Sequence, residues 1–439
     1  MQVTIRKSTA VGTVTVPPSK SLAHRYLICA ALANGTSVIS GVDYSEDILA
    51  TLDCIRALRA TVKTEGDRVT VTGTESMPAH AEFPCRESGS TMRFFMGIAI
   101  VFGLDADFFG SETLRNRPFG VYEDVCREYG IGFERLPDRI HIAGPAGADG
   151  RKDRISTSGK RIADGSEERR SASEMRIDDG SEETLRFRIP GNVSSQFITG
   201  LLFGLPCLSR DSIIELLPPV ESRSYLKLTE SALADFGVTV DFSEETQIRI
   251  PGNQSYCPAQ RTVEGDYSNA AFPEALNLFG GNVNLCGLRE DSLQGDRVYR
   301  ECFRQLQNGK SEIDITDCPD LGPVLMAVAA AKHGAVLTGT KRLKMKESDR
   351  GTVMCRELSA FGIRTVAEEN RIEVFGGLLK RPEAPVFGHN DHRIVMALSI
   401  LLTLVGGTID GAEAVAKSYP HFFDDLQRLG IEVIRHGMD

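Results

Sequence analysis

The chain has 439 residues, 41% of them hydrophobic and 25% charged, enough for two or three globular domains with cores of their own. Its 50 Lys+Arg stand against 60 Asp+Glu, a net charge of −10, and only 7% of its residues are aromatic; both facts argue against a nucleic-acid binder, which needs a basic face and stacking platforms. The ten cysteines are dispersed without a Cys-x-x-Cys pair, so reduced thiols are expected rather than a disulfide scaffold or a zinc site.

In chain order, one phrase recurs: an apolar helix, a Gly or Asn-Gly stop, a short β-branched strand and a polar loop. It spans residues 27–41, 94–110, 197–217, 272–287, 324–339 and 395–411. Glycine after an apolar helix reads as a left-handed C-cap, and the Thr/Val/Ile run behind it as a strand. A second phrase alternates with the first: an amphipathic helix followed by two strands, at 47–73, 122–144, 225–252, 298–316, 352–376 and, truncated, 421–434. Six βαβαββ-like units at a period of about 60–70 residues predict an α/β protein built by internal multiplication. Residues 151–188 break the rhythm. This polar stretch, with its near-duplicated Asp-Gly-Ser-Glu-Glu, reads as a solvated insertion or extended hairpin. Residues 1–5 lack a basic stretch leading into an apolar core, and apolar runs such as 394–405 are too short to span a bilayer, so a cytoplasmic protein without a membrane partner is expected.

The chemistry-bearing residues gather at helix starts. Pro18-Ser19-Lys20-Ser21 and Arg25 lead into an apolar helix predicted over 26–33, with Ser19 or Ser21 available as cap. Ser88-Gly89-Ser90-Thr91-Met92-Arg93 repeats that design, Arg117-Pro118 follows, and Val193-Ser194-Ser195-Gln196 opens a third helix. Lys346-Glu347-Ser348-Asp349-Arg350 precedes a helix predicted over 351–361, Asn390-Asp391-His392-Arg393 precedes another, and Ala416-Lys417-Ser418 closes the series. Cations flanked by glycine, hydroxyls and carboxylates suit phosphate and carboxylate ligands, because backbone N–H, hydroxyl and guanidinium donors act together there. Each motif alone also fits an ordinary capped helix, and Glu347 could simply pair with Lys346. Neither a P-loop nor a GxGxxG fingerprint is present, which disfavours nucleotide binding by either route.

Taken together these motifs, in this order, resemble the 5-enolpyruvylshikimate-3-phosphate synthase (3-phosphoshikimate 1-carboxyvinyltransferase) family from about residue 14 to about residue 429. The resemblance implies transfer of the enolpyruvyl group of phosphoenolpyruvate to the 5-hydroxyl of shikimate 3-phosphate, with release of phosphate and no cofactor or metal, by a monomer. It implies two α/β domains of three βαβαββ units each, an inside-out α/β barrel of the enolpyruvyl transferase type, divided as 20–264 and 1–19 plus 265–439, which close on the substrates. By the same resemblance, Lys20, Ser21, Arg25, Ser194, Ser195, Gln196, Ser222, Asp320 and Lys346 would hold shikimate 3-phosphate. Lys20, Gly89, Arg117, Gln196, Arg350, Arg393 and Lys417 would hold phosphoenolpyruvate, with Arg93, His392 and Arg342 as further candidates. Asp320 would accept the 5-hydroxyl proton, Glu347 would protonate the methylene carbon, and Lys20 would assist.

Pro18, Glu87 and the Ala23-His24 pair depart from the commoner pattern of that family. The related UDP-N-acetylglucosamine enolpyruvyl transferases place a cysteine ahead of their Arg-Pro, whereas residues 110–118 contain none. A catalytically silent anion-binding paralogue is disfavoured because Lys20, Asp320, Glu347 and Lys417 are all in place.

Overall fold

A computed structural model describes residues 1–144 and 184–437. The chain separates into two compact units, residues 1–20 with 264–439 and residues 21–263. Most of the polar segment 151–188 lies outside the described residues. Its proposed end is corrected: Leu185–Pro190 is a strand, its alternating Leu185, Phe187 and Ile189 buried as one sheet face requires.

The unit of residues 21–263 contains three four-stranded sheets of one topology. In the first, Gln260–Thr262 runs parallel to Thr36–Ser40, which pairs antiparallel with Arg68–Thr72, which pairs with Thr61–Glu65. His80–Pro84 and Asp105–Phe109 begin the second in the same way, and Leu185–Pro190 and Ser212–Leu217 the third. A parallel pair needs a crossover, which the helices Gly89–Phe102 and Ser195–Gly204 supply in the second and third sheets, while Lys20–Leu32 leads into Thr36–Ser40, whose parallel partner comes from the end of the unit. These helices are apolar around most of their circumference, which fits burial inside the unit rather than on its surface.

The helices Gly89–Phe102 and Ser195–Gly204 meet backbone to backbone. A Cβ on Gly97 would lie 2.3 Å from the Gly200 carbonyl carbon, and one on Gly200 would lie 2.6 Å from the Arg93 carbonyl oxygen. The Tyr122 hydroxyl lies 2.9 Å from both the Arg93 and the Phe197 carbonyl oxygens, pinning the two helices at the same level.

The other unit is assembled from both ends of the chain. Ser311–Asp314, Ala335–Thr338, Arg371–Val374 and Thr365–Ala367 form a sheet of the same topology. A second, Val386–Phe387 with Gly407–Asp410 and Val433–His436, takes its remaining strand from the N-terminal Gln2–Ile5. The third has two strands, Val11–Thr15 and Asn282–Cys286. The two strands expected within 298–316 reduce to one, Ser311–Asp314, and it belongs to the next sheet. Only a short stretch separates the helix Tyr299–Asn308 from Thr316-Asp317-Cys318-Pro319, too little chain for a hairpin. The inner helices here are Tyr267–Leu278, Gly322–Ala331 and His392–Val405, the last two almost wholly buried.

Gly97→Ala should destabilise the protein by about 1–3 kcal/mol, because the added methyl has to move a helix backbone rather than a side chain. Gly120→Ala, with nothing near its added Cβ and a helical position, should stay within about 0.5 kcal/mol of the parent. Denaturant titration of both variants checks this; equal midpoints would contradict the packing described.

Candidate active site

Within the unit of residues 1–20 and 264–439, the helix starts carry the charged residues. Asp391 caps the helix His392–Val405 by accepting the Arg393 backbone N–H at 3.0 Å. Its fully buried carboxylate also accepts Arg350 Nε at 2.8 Å, Arg350 Nη2 at 3.2 Å and the Ser348 hydroxyl at 3.0 Å. Arg350 Nη1 donates to Asp320 Oδ1 at 2.8 Å and Nη2 to Glu347 Oε2 at 2.6 Å. One guanidinium, only 1% exposed, thus holds three carboxylates drawn from three stretches of chain.

Lys346 Nζ lies 2.9 Å from Asp320 Oδ1, and Arg393 Nη2 lies 3.5 Å from Asp320 Oδ2. The local pairing considered from sequence, Lys346 with Glu347, is therefore replaced: Lys346 pairs with Asp320 and Glu347 with Arg350. Arg393 also donates to the Ser268 hydroxyl at 2.7 Å and the Ser268 carbonyl at 3.2 Å. Ser268 is itself fixed by Asp266, which caps the helix Tyr267–Leu278 and accepts the Lys20 backbone N–H at 3.2 Å. Lys417 Nζ donates to the Asn390 carbonyl at 2.6 Å, beside Asp391.

Burial alone would raise the Asp320 carboxyl, but Lys346, Arg393 and Arg350 outweigh it and hold it well below the usual carboxylate range. Burial lowers the Lys346 ammonium, with Asp320 opposing and the Arg350 and Arg342 charges adding to the drop. Arg350 is raised above its ordinary value, because its three carboxylates overcome the effect of burial. His392 is buried, neither ring nitrogen has a hydrogen-bond partner among the described residues, and burial together with the Lys20 and Arg393 charges pushes it well below 6.5. It is a neutral imidazole at physiological pH.

The unit of residues 21–263 holds its cations differently. The helix Lys20–Leu32 begins six residues ahead of the predicted 26–33, so Lys20, Ser21 and Arg25 lie on the helix and Ser19 is left just before it. Arg25, 2% exposed, donates to Thr229 Oγ1 at 2.9 Å, the Ser21 carbonyl at 2.6 Å and the Tyr225 carbonyl at 3.2 Å, and lies over the Phe94 ring at 5.5 Å. Burial lowers its guanidinium to about 10, which leaves it charged at neutral pH.

Ser88 caps the helix Gly89–Phe102, and Gly89 lets guanidinium groups approach the backbone. A Cβ there would meet Arg117 Nη1 at 2.6 Å and Arg93 Nη1 at 3.1 Å. Arg93 donates to Gln196 Oε1 at 2.7 Å, and Gln196 Nε2 donates to the Ser90 hydroxyl at 2.8 Å. Ser194 caps the helix Ser195–Gly204, with Ser195 as its first residue. Ser222 is fully buried with φ 56° ahead of the helix Arg223–Ala234.

These contacts join Asp320, Lys346, Glu347, Arg350 and Arg393 in one unit, and Gly89, Arg93, Arg117 and Gln196 in the other. Sequence reasoning had given Asp391 no role beyond opening a helix, and had not singled out Ser268 and Asp266, nor Tyr225 and Thr229 beside Arg25. The first three sit at helix starts, where an N-cap signal was visible; their contacts to distant arginines were not.

A sequence model of the family described as EPSP synthase (3-phosphoshikimate 1-carboxyvinyltransferase) matches residues 5–137 and 165–426. The 3-phosphoshikimate 1-carboxyvinyltransferase of Clostridium kluyveri is 34% identical over 453 residues, covering 98% of each chain. That of Clostridioides difficile strain 630 is 34% identical over 451 residues, covering 95% of each. The chain belongs to the EPSP synthase family. The fold agrees: an EPSP synthase structure from Acinetobacter baumannii superimposes with a TM-score of 0.72 at 21% identity, over the full length of both chains. As a member of the EPSP synthase family the chain is a transferase of the shikimate pathway. Among the described residues, no helix is long and apolar enough to cross a membrane.

The depressed Asp320 carboxyl has a consequence for stability. Its ionised form is favoured in the folded state, so its contribution is present above the unfolded value of 3.8 and is lost as pH falls from there through the lower folded value. The stability difference between the parent and Asp320→Asn should therefore be flat from pH 8 to about 5 and change only below about pH 4. Unfolding titrations across that range check this; a difference that changed between pH 5 and 8 would contradict it.

Proposed function

We propose that this chain carries out its family's reaction, enolpyruvyl transfer from phosphoenolpyruvate to the 5-hydroxyl of shikimate 3-phosphate, with Asp320 as proton acceptor and Glu347 as proton donor. The observation that carries the assignment is that both carboxyls bind adjacent nitrogens of the same buried guanidinium, which fixes them side by side. As the 5-hydroxyl oxygen bonds to the substituted alkene carbon of phosphoenolpyruvate, its proton passes to Asp320 and Glu347 delivers one to the methylene carbon. Loss of phosphate and of a methyl proton then restores the vinyl group. Protonating an enol ether carbon develops oxocarbenium character, so an acid has to stand close while the anionic groups of the substrates stay neutralised by cations. Glu347 is held by Arg350, and a bound anion beside it favours its protonated form.

Lys20, Arg117, Arg350, Arg393 and Lys417, with Gly89 and Gln196, are assigned to phosphoenolpyruvate. The Gly89 backbone leaves room for two guanidinium groups, which suits an anion cradle. Lys20, Ser21, Arg25, Ser194, Ser195, Gln196, Ser222 and Lys346 are assigned to shikimate 3-phosphate. Arg93, Arg342 and the neutral His392 are assigned to support of these contacts. No cofactor is required by this chemistry, and the domain division, monomeric state and cytoplasmic location remain parts of the same proposal.

Glu347→Gln and Asp320→Asn should each lower kcat by about 10²–10⁴ while leaving the far-ultraviolet circular dichroism unchanged, since each removes one proton-transfer group. Phosphate release in the presence of both substrates measures this, and near-normal turnover in either variant would refute the role given to that residue.

A further inference from the structure

Lys417 and Arg350 both depend on one short turn. Residues 388–391 deliver the Asn390 carbonyl to Lys417 Nζ and the Asp391 carboxylate to Arg350. The turn contains two consecutive non-glycine residues in the left-handed region, His389 with φ 50° and Asn390 with φ 53°. Such a pair costs energy that the surroundings have to supply, and it persists only where other contacts over-determine it. The backbone supplies two of these: Gly388 N–H donates to the Asp410 carbonyl at 2.8 Å, and Asp391 N–H to the Gly388 carbonyl at 2.9 Å.

A further restraint comes from Glu357, near the far end of the helix Arg350–Ala360. Its carboxylate, 10% exposed, grips the turn from both sides of Gly388. Oε2 accepts the Phe387 backbone N–H at 3.0 Å, and Oε1 lies 2.8 Å from His389 Nε2. A carboxylate only accepts, so His389 carries its proton on Nε2. The imidazole is further packed edge-on against the Phe387 ring at 4.8 Å between centroids. The same helix therefore presents Arg350 at its start and the brace for that arginine's partner, Asp391, two turns later.

We infer that Glu357 and His389 form a positioning pair that holds the 388–391 turn in its left-handed conformation and so sets Lys417 and Arg350 for phosphoenolpyruvate. Neither residue touches the reacting atoms; both act through the turn. This inference rests on the functional reading above. It predicts a selective defect. Glu357→Ala and His389→Ala should each raise KM for phosphoenolpyruvate about tenfold, with KM for shikimate 3-phosphate within about twofold of the parent. Because the two residues form one contact, the double variant should be no worse than the more damaged single variant. Glu357→Gln should restore KM to within about threefold, since its amide oxygen can accept the Phe387 N–H and its amide nitrogen can donate to the other imidazole tautomer.

Steady-state kinetics with each substrate varied in turn, alongside thermal unfolding, tests the pair. A parent protein that releases no phosphate from the two substrates would sink the functional reading itself. An active parent whose Glu357→Ala and His389→Ala variants keep KM for phosphoenolpyruvate, even with a lowered melting temperature, would overturn the positioning role. If Glu357→Ala does not fold, the half-buried His389→Ala variant decides on the same criterion.

Discussion

The Arg350 guanidinium is the interaction on which the carboxylate cluster depends. It is buried, so its charge cannot be left to water, and it answers three carboxylates through Nε, Nη1 and Nη2. A lysine could not replace it. A single ammonium has no planar fork with which to hold Asp391 on one edge while directing Asp320 and Glu347 from separate nitrogens. The three acids come from a turn before the helix Gly322–Ala331, from the residues just ahead of the helix Arg350–Ala360, and from the cap of the helix His392–Val405. The fold of this unit therefore brings three helix starts to one cation. Loss of any one acid leaves a buried charge partly uncompensated, which is among the more expensive defects a folded protein can carry.

The other unit meets the same problem with different partners. Arg25 is compensated by two backbone carbonyls, a threonine hydroxyl and the face of Phe94. Arg93 has the amide oxygen of Gln196 and the rings of Phe119 and Phe197 among its contacts. These particular partners are polar or polarisable without being ionised, and each reduces the cost of burying a guanidinium. In the Arg350 cluster, three cations, Lys346, Arg350 and Arg393, meet three anions, Asp320, Glu347 and Asp391, so the formal charges of these six balance.

Much of this was legible in the sequence because it is encoded locally. The alternation of apolar helix, glycine stop and β-branched strand gave the α/β class, and Ser88, Ser194, Asp349 and Asp391 announced helix starts that the structure also shows capped. What was not legible is set by distance along the chain. Nothing near Lys346 says that it pairs with Asp320 rather than with the adjacent Glu347, since both acids are chemically suitable and only the tertiary fold chooses. The helix Lys20–Leu32 begins earlier than expected because its polar first turns look like a loop; Arg25 is buried there only because Tyr225 and Thr229, 200 or so residues later, receive it. The missing hairpin after Tyr299–Asn308 was hidden by a strand that reads correctly as a strand yet belongs to another sheet.

One feature of the electrostatics looks at first unfavourable to catalysis. A carboxyl held well below 3.8 is a feeble base, whereas the role proposed for Asp320 is to accept a hydroxyl proton. The cations that depress it, Lys346, Arg393 and Arg350, are the very ones assigned to the two substrates. An incoming phosphate or carboxylate that engages Lys346 and Arg393 would cancel part of the positive field around Asp320 and so raise its affinity for a proton. On this account the resting cluster stores Asp320 as a counter-ion, stable across the physiological pH range. The substrates themselves would release it to act as a base, so its proton-accepting strength would appear only when there is a hydroxyl to deprotonate.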